Sequence, residues 1–244
     1  MNLSDKRRAI RPLLSDRPED AVADYYAFHH PDEKTGLTLY PNEATRPTGF
    51  LTFSRTGMDL FRLLVTLRLP IADLAASAAA IHQAIEPDTA VILFGPASYG
   101  PLLHALFDVQ TEEAFRLYAL SPQRFEPIIN VLVMQTDGPN GLPRFIVRSQ
   151  STGEVVAAAG LNWQSPRYAE ISVTTDQAHR RQGLGQSVAA AMVEYVLRNG
   201  RTPLYLVNEQ NTPSIHLAEQ AGFRDTGFSK LLLQASLKLP LSKQ

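Results

Sequence analysis

The spacing of apolar and polar positions changes several times along this chain, and each change marks an element. Residues 49–69 are rich in Phe, Leu, Val and Thr with a polar break at Arg55-Thr56-Gly57, which predicts two strands joined by a hairpin. Residues 71–85 are Ala-rich with helical spacing and are closed by Pro87; residues 90–94, Ala-Val-Ile-Leu-Phe, then read as a buried strand. A short helix over 100–106 and a strand over 114–120 follow. The first 45 residues carry scattered Pro, Asp and Arg, with one short helical stretch at 21–28.

Residues 122–127, bounded by two prolines, read as a joint, dividing the chain into a smaller α/β domain at 1–125 and a second domain at 126–244. Beyond the joint the pattern predicts strands at 129–134, 144–148, 154–162 and 168–175. The turns between them include Asp137-Gly138-Pro139-Asn140-Gly141 and Ser151-Thr152-Gly153. A glycine turn leads into a helix that runs to Arg198 and stops at Asn199-Gly200. A strand at 204–207 precedes a helix capped by Asn211 or Thr212, with Pro213 near its first position and Gly222 at its end. The last strand is placed at 228–237. Antiparallel strands followed by strand-helix-strand-helix-strand make a mixed α/β pattern. The halves echo one another: helix 71–85, strand 90–94, helix 100–106 and Phe107 correspond to helix 184–198, strand 204–207, helix 212–221 and Phe223. Leu67-Arg68-Leu69-Pro70 stands in the first half where the second has its glycine turn, as expected of a duplication whose first copy lost its phosphate loop.

Composition narrows the function. A chain of 244 residues, 44% hydrophobic and 19% charged, buries a proper core. The net charge of -1 argues against a nucleic-acid partner, and Lys6-Arg7-Arg8 reads as a solvated N-terminal segment. There is no cysteine, hence no disulfide, thiolate metal site or thiol nucleophile. The six histidines show no metal-ligand spacing, no metal is expected, and the adjacent His29-His30 reads as surface loop. Neither a membrane-spanning run nor an apolar signal core is visible, so a cytoplasmic protein is expected.

The chemistry-bearing stretch is Arg180-Arg181-Gln182-Gly183-Leu184-Gly185, set between the β-branched run 169–175 and the helical run 188–197. A strand, a glycine turn and a helix leave unpaired backbone N–H groups backed by the helix dipole, an arrangement that attracts phosphate. Alone this is weak, because glycine turns are also ordinary caps. With the downstream segment Asn211 to Phe223 it resembles the GNAT superfamily of N-acetyltransferases. Their cofactor motif Gln/Arg-x-x-Gly-x-Gly/Ala is met by Arg180, Gly183 and Gly185. Their later motif Asn-x-x-Ser/Ala-x-x-Leu, ending in Gly-Phe, is met by Asn211, Ser214, Leu217, Gly222 and Phe223. The likeness covers roughly residues 129–240.

The resemblance implies a GNAT fold, a mostly antiparallel splayed sheet flanked by helices, and acetyl-CoA or another acyl-CoA as co-substrate. Arg180, Arg181, Gln182, Gly183, Leu184, Gly185 and Gln186 would receive its pyrophosphate. Val173, Thr174 and Thr175 would pair with the pantetheine arm, with the Val173 N–H polarising the thioester carbonyl. Asn211 and Ser214 would flank the cofactor, although both also suit helix capping. Glu170 is the candidate general base; a salt-bridged or edge residue is the plainer alternative. Many relatives carry a tyrosine general acid where this chain has Ala218, and Tyr168, Tyr205, Ser214 and water are left as substitutes. His179 and Asp176 read as turn residues, and Trp163 as a packing residue or a wall of the acceptor pocket. The expected reaction is direct attack by a primary amine, small molecule or peptide, on the acyl-CoA in a ternary complex by a monomer or homodimer. A non-catalytic acyl-CoA-binding or interaction protein on the same scaffold is the alternative, and an unrelated α/β protein whose glycine turn is only a cap is a third.

Overall fold

The computed structural model describes residues 1–138 and 141–239; Pro139 and Asn140 of the turn expected at 137–141 lie outside the described residues. In chain order the first elements are α1 (Leu3–Ile10), α2 (Ala21–Asp24), β1 (Thr35–Tyr40), β2 (Gly49–Ser54) and β3 (Leu63–Arg68). Next come α3 (Leu74–Ala84), β4 (Ala90–Pro96), α4 (Gly100–Leu106) and the long β5 (Phe107–Leu120). Then follow β6 (Met134–Asp137), β7 (Pro143–Arg148), β8 (Val155–Gln164), β9 (Tyr168–Thr175), α5 (Leu184–Arg198), β10 (Thr202–Asn208), α6 (Thr212–Gln220) and β11 (Phe223–Leu237). The strands are those of a mixed α/β sheet protein with flanking helices, as the pattern predicts.

The chain forms two compact units, one of Met1–Phe115 with Ser229–Gln244 and the other of Arg116–Phe228. A boundary drawn along the sequence at 125/126 assigns the last segment to the second half; by contacts it belongs with the first.

In the first unit β1, β2 and β3 are antiparallel neighbours, β3 runs parallel to β4, and residues 230–236 of β11 pair antiparallel with β4. Leu51, Val65, Leu67, Val91 and Leu93 meet Ala80 and Ile81 of α3 in its core. Two elements here were not foreseen, α1 and β1. Asn2 caps α1 by accepting from the Asp5 N–H at 2.9 Å. Lys6-Arg7-Arg8, expected to be solvated, is partly structural: Lys6 Nζ donates to the Leu37 carbonyl at 2.8 Å and Arg7 Nε to that of Ala27 at 2.7 Å. His29-His30 is likewise no loose loop. His29 ends a π-type turn (Tyr25–His29) and pairs with Asp24, while His30 is buried with Nδ1 2.9 Å from Thr35 Oγ1.

In the second unit β6, β7, β8 and β9 are antiparallel neighbours and β9 runs parallel to β10. The helix α5 lies on this sheet because Leu184, Val188, Met192, Val193 and Val196 recur on one of its faces and are all buried. Ala169, Ile171, Tyr205 and Val207 supply the opposing sheet surface, with Ala218 of α6 in the same cluster. The strand expected at 129–134 does not form; β6 begins at Met134. Residues 128–133 make no ladder, the Asn130 N–H goes to Ser187 Oγ at 3.4 Å, and only Val131 and Val133 reach the core. Apolar composition alone could not supply a pairing partner.

Candidate active site

Two local features shape the end of β9. First, the parallel ladder between β9 and β10 holds for four residue pairs, Tyr168↔Thr202 to Ile171↔Tyr205, and then stops. Beyond it β9 continues through Ser172, Val173, Thr174 and Thr175 on its partner β8 alone, paired with Gly160 to Ala157. The β10-facing edge of these four residues is without a strand. Ser172, Val173 and Thr175 are half-buried and Thr174 is exposed.

Second, the helix that follows starts without a cap. Four α-helices of eight or more residues occur among the described residues. Asn2, Asp73 and Asn211 cap α1, α3 and α6 through their side chains, whereas Gly183 before α5 offers none. The longest of the four helices, with 15 residues, thus turns its first-turn N–H groups outward. Arg180, Arg181, Gln182 and Gly183 are exposed, Gly185 and Gln186 are half-buried, and Leu184 is buried in the core.

The glycines are needed for different reasons. Gly183 sits at φ +75° with open space around an added Cβ, so its requirement is conformational. A Cβ on Gly185 would come 2.8 Å from Thr175 Oγ1 and 3.7 Å from a Leu217 methyl, so that position allows α5 to approach the end of β9. Arg181 also adopts positive φ, +61°. The loop between is braced locally: Asp176 Oδ1 accepts from the Ala178 N–H at 3.0 Å and lies 2.8 Å from His179 Nδ1. The bond from His179 holds the Asp176 carboxyl below its ordinary value, helped by the backbone donors.

Asn211 acts as the cap of α6, its Oδ1 accepting from the Ser214 N–H at 3.2 Å. The Ser214 hydroxyl is bonded to the phenol of Tyr205, whose pKa burial raises against the opposing pull of that bond. Tyr205 stacks edge-on to Phe223, ring centroids 5.9 Å apart. Ala218 is fully buried in the same core cluster as Tyr205 and Phe223.

Glu170 lies in the paired part of β9 and is 7% exposed. Asn162 Nδ2 donates to its Oε1 at 2.6 Å and Trp163 Nε1 to its Oε2 at 2.9 Å. Trp163 is thus more than packing, and Asn162 was missed altogether. The only sequence signal for Asn162 is its place beside Trp163 near the Ser165-Pro166-Arg167 turn that brings β8 back along β9. Among the described residues no group of three metal-binding side chains occurs, and no helix is long and apolar enough to cross a membrane.

A mixed sheet with a parted parallel strand pair, feeding a helix without a side-chain cap through a glycine turn, is an α/β arrangement suited to receiving an anion. Residues 145–228 match the family described as GNAT acetyltransferase, a family of acyl transfer from acyl-CoA, so this segment is a GNAT acetyltransferase domain. A tandem GNAT protein from the clavulanic acid biosynthesis pathway superposes with a TM-score of 0.62 at 15% identity, over 98% of this chain and 94% of its own. A GCN5-related N-acetyltransferase-like protein from Streptococcus suis gives 0.61 at 14% identity, over 96% and 100%. A Drosophila protein gives 0.65 at 14% identity, over 95% and 88%. At these identities the likeness establishes the fold, and the tandem protein fits a two-domain arrangement. No curated protein matches the chain in sequence.

Proposed function

We propose that the protein transfers an acetyl group from acetyl-CoA to a primary amine by direct attack in a ternary complex. The observation that carries this reading is the uncapped start of α5 beside the unpaired edge of β9. In this reading the N–H groups of residues 181–186 take the pyrophosphate, Arg180 and Arg181 add positive charge, and Val173, Thr174 and Thr175 take the pantetheine amides. The Val173 N–H polarises the thioester carbonyl. Glu170 takes the proton of the attacking ammonium, and a buried carboxylate that already accepts two hydrogen bonds is suited to that work. With Ala218 in place of an acid, the Ser214 hydroxyl backed by the protonated Tyr205 phenol is our choice of donor to the leaving thiolate. The acceptor is a small amine or a peptide N-terminus.

The test is acetyl-CoA binding by calorimetry, then CoA-thiol release across a panel of amines. Gly183→Glu should abolish binding by placing a carboxylate where the phosphates go, and unchanged affinity rejects the cofactor assignment. Glu170→Gln should lower kcat/KM by about 10²-fold or more; undiminished activity with an unaltered pH profile removes Glu170 from the mechanism. Ala218 favours a second reading, an acyl-CoA-binding module without turnover. Tight binding with no thiol release across the panel would select it.

A further inference from the structure

Successive side chains of a regular strand face opposite sides of the sheet, so Asn162 and Trp163 could not both reach Glu170 from an unbroken β8. A bulge removes that obstacle. Leu161 stands opposite Ile171 and Trp163 opposite Glu170, leaving Asn162 as the extra residue between them. Leu161 stays in the core, while Asn162 and Trp163 both turn to the carboxylate.

The two donors differ chemically. An indole N–H only donates, and Trp163 is 3% exposed, so a proton on Oε2 would weaken the bond that Oε2 accepts from it. An amide carries both a donor and an acceptor, and Asn162 is exposed. If Oε1 takes a proton, half a turn of the Asn162 amide presents its oxygen to accept from the new O–H.

We propose that Asn162 and Trp163 are positioning residues that hold the Glu170 carboxylate ionised and direct its protonation to Oε1. This rests on the reading of Glu170 as the base. In the step, an ammonium N–H bond breaks, the Oε1–H bond forms, and the electron pair stays on the nitrogen that attacks the thioester carbon. Tyr168 lies on the same face of β9, and Arg144 of β7 aligns through Gly160 with Ser172. From β10 the ladder partner is Leu204. Both α5 and α6 pack on the opposite face through Val188, Met192 and Ala218.

Trp163→Phe keeps an aromatic ring and removes the donor; Asn162→Ala removes the amide. With glutamate labelled at the carboxyl carbon and the Glu170 signal identified by its loss in Glu170→Gln, NMR titration gives the carboxyl midpoint directly. Losing a donor to the charged form should raise that midpoint by about one pH unit in Trp163→Phe, and by less in Asn162→Ala, where water takes over the bond. The acidic limb of kcat/KM for the best amine should move up with it, while KM for acetyl-CoA stays constant. An unchanged midpoint in folded Trp163→Phe overturns the proposal; should that variant not fold, an unchanged midpoint in Asn162→Ala does so. A raised midpoint together with full turnover by Glu170→Gln leaves the held carboxylate standing and removes only its role as base.

Discussion

The two units use one device and finish it differently. In each, a strand pairs in parallel with the next for four residues and then outlasts the ladder: β3 beyond Thr66↔Phe94 in the first, β9 beyond Ile171↔Tyr205 in the second. Each then leads through a loop to a helix. In the second unit the parted edge is left open and α5 begins without a side-chain cap. In the first the gap is filled by the protein itself. Leu67, 2% exposed, packs against Gly95, and the buried Tyr99 hydroxyl accepts from the Leu69 N–H at 3.2 Å. The Asp73 carboxylate accepts from the Ala76 N–H at 2.9 Å, so an anion of the chain already occupies the start of α3. No carboxylate lies on β3, against Glu170 on β9. Such a filled gap gives stability and forgoes a ligand. We read the first unit as a degenerate copy of the second, which the variants below can break or sharpen.

Gly185→Val should have the largest effect. Its side chain meets Thr175 Oγ1 and Leu217, α5 must move away, and acetyl-CoA affinity should fall more than tenfold with about 1–3 kcal/mol of lost stability. The counterpart Gly95→Ala places a Cβ 2.8 Å from a Leu67 methyl; it should lower the melting temperature and leave acetyl-CoA affinity unchanged. Equal effects of the two on affinity would dissolve the contrast between the units. Next, Asp73→Ala should cost about 1 kcal/mol in denaturant unfolding, again without touching affinity. Gly183→Ala forces a Cβ into positive φ for about 1–2 kcal/mol, and should weaken acetyl-CoA several-fold by calorimetry.

A pH effect belongs to the first unit. Burial opposes ionisation of Asp24, but His29 and Arg11 outweigh it and hold its carboxyl below the ordinary value. A depressed acid stabilises the fold above its unfolded pKa, and that contribution disappears as the pH falls through the folded value. Asp24→Asn should therefore be less stable by about 1 kcal/mol at neutral pH, after allowance for solvent screening, with the difference vanishing in strong acid. Smallest is the double change Arg180→Ala and Arg181→Ala. Both side chains are exposed, so the loss of acetyl-CoA affinity should be a few-fold at low salt and shrink as ionic strength rises.

How much of this could be read beforehand follows from how local each feature is. The helix 184–198, its glycine turn, the Asn199-Gly200 stop and the Asn211 cap each depend on a few adjacent residues, and spacing revealed them. The false strand at 129–134 and the missed β1 show the limit, because a strand needs a partner and apolar content names none. The charges of Lys6 and Arg7 were misjudged for the same reason: their acceptors, Leu37 and Ala27, lie far along the chain.

For the site, the sequence by itself determined a glycine turn between strand and helix, the Asn211 to Phe223 partner segment and a carboxylate at Glu170, all through short-range spacing and backbone conformation. Only the tertiary structure decided that β9 parts from β10 after Ile171, that Asn162 and Trp163 converge on Glu170, and that residues 229–239 join the first unit. These depend on strand register and on hydrogen bonds between residues brought together by packing, and a bulge shifts that register by one residue without leaving a mark in the spacing.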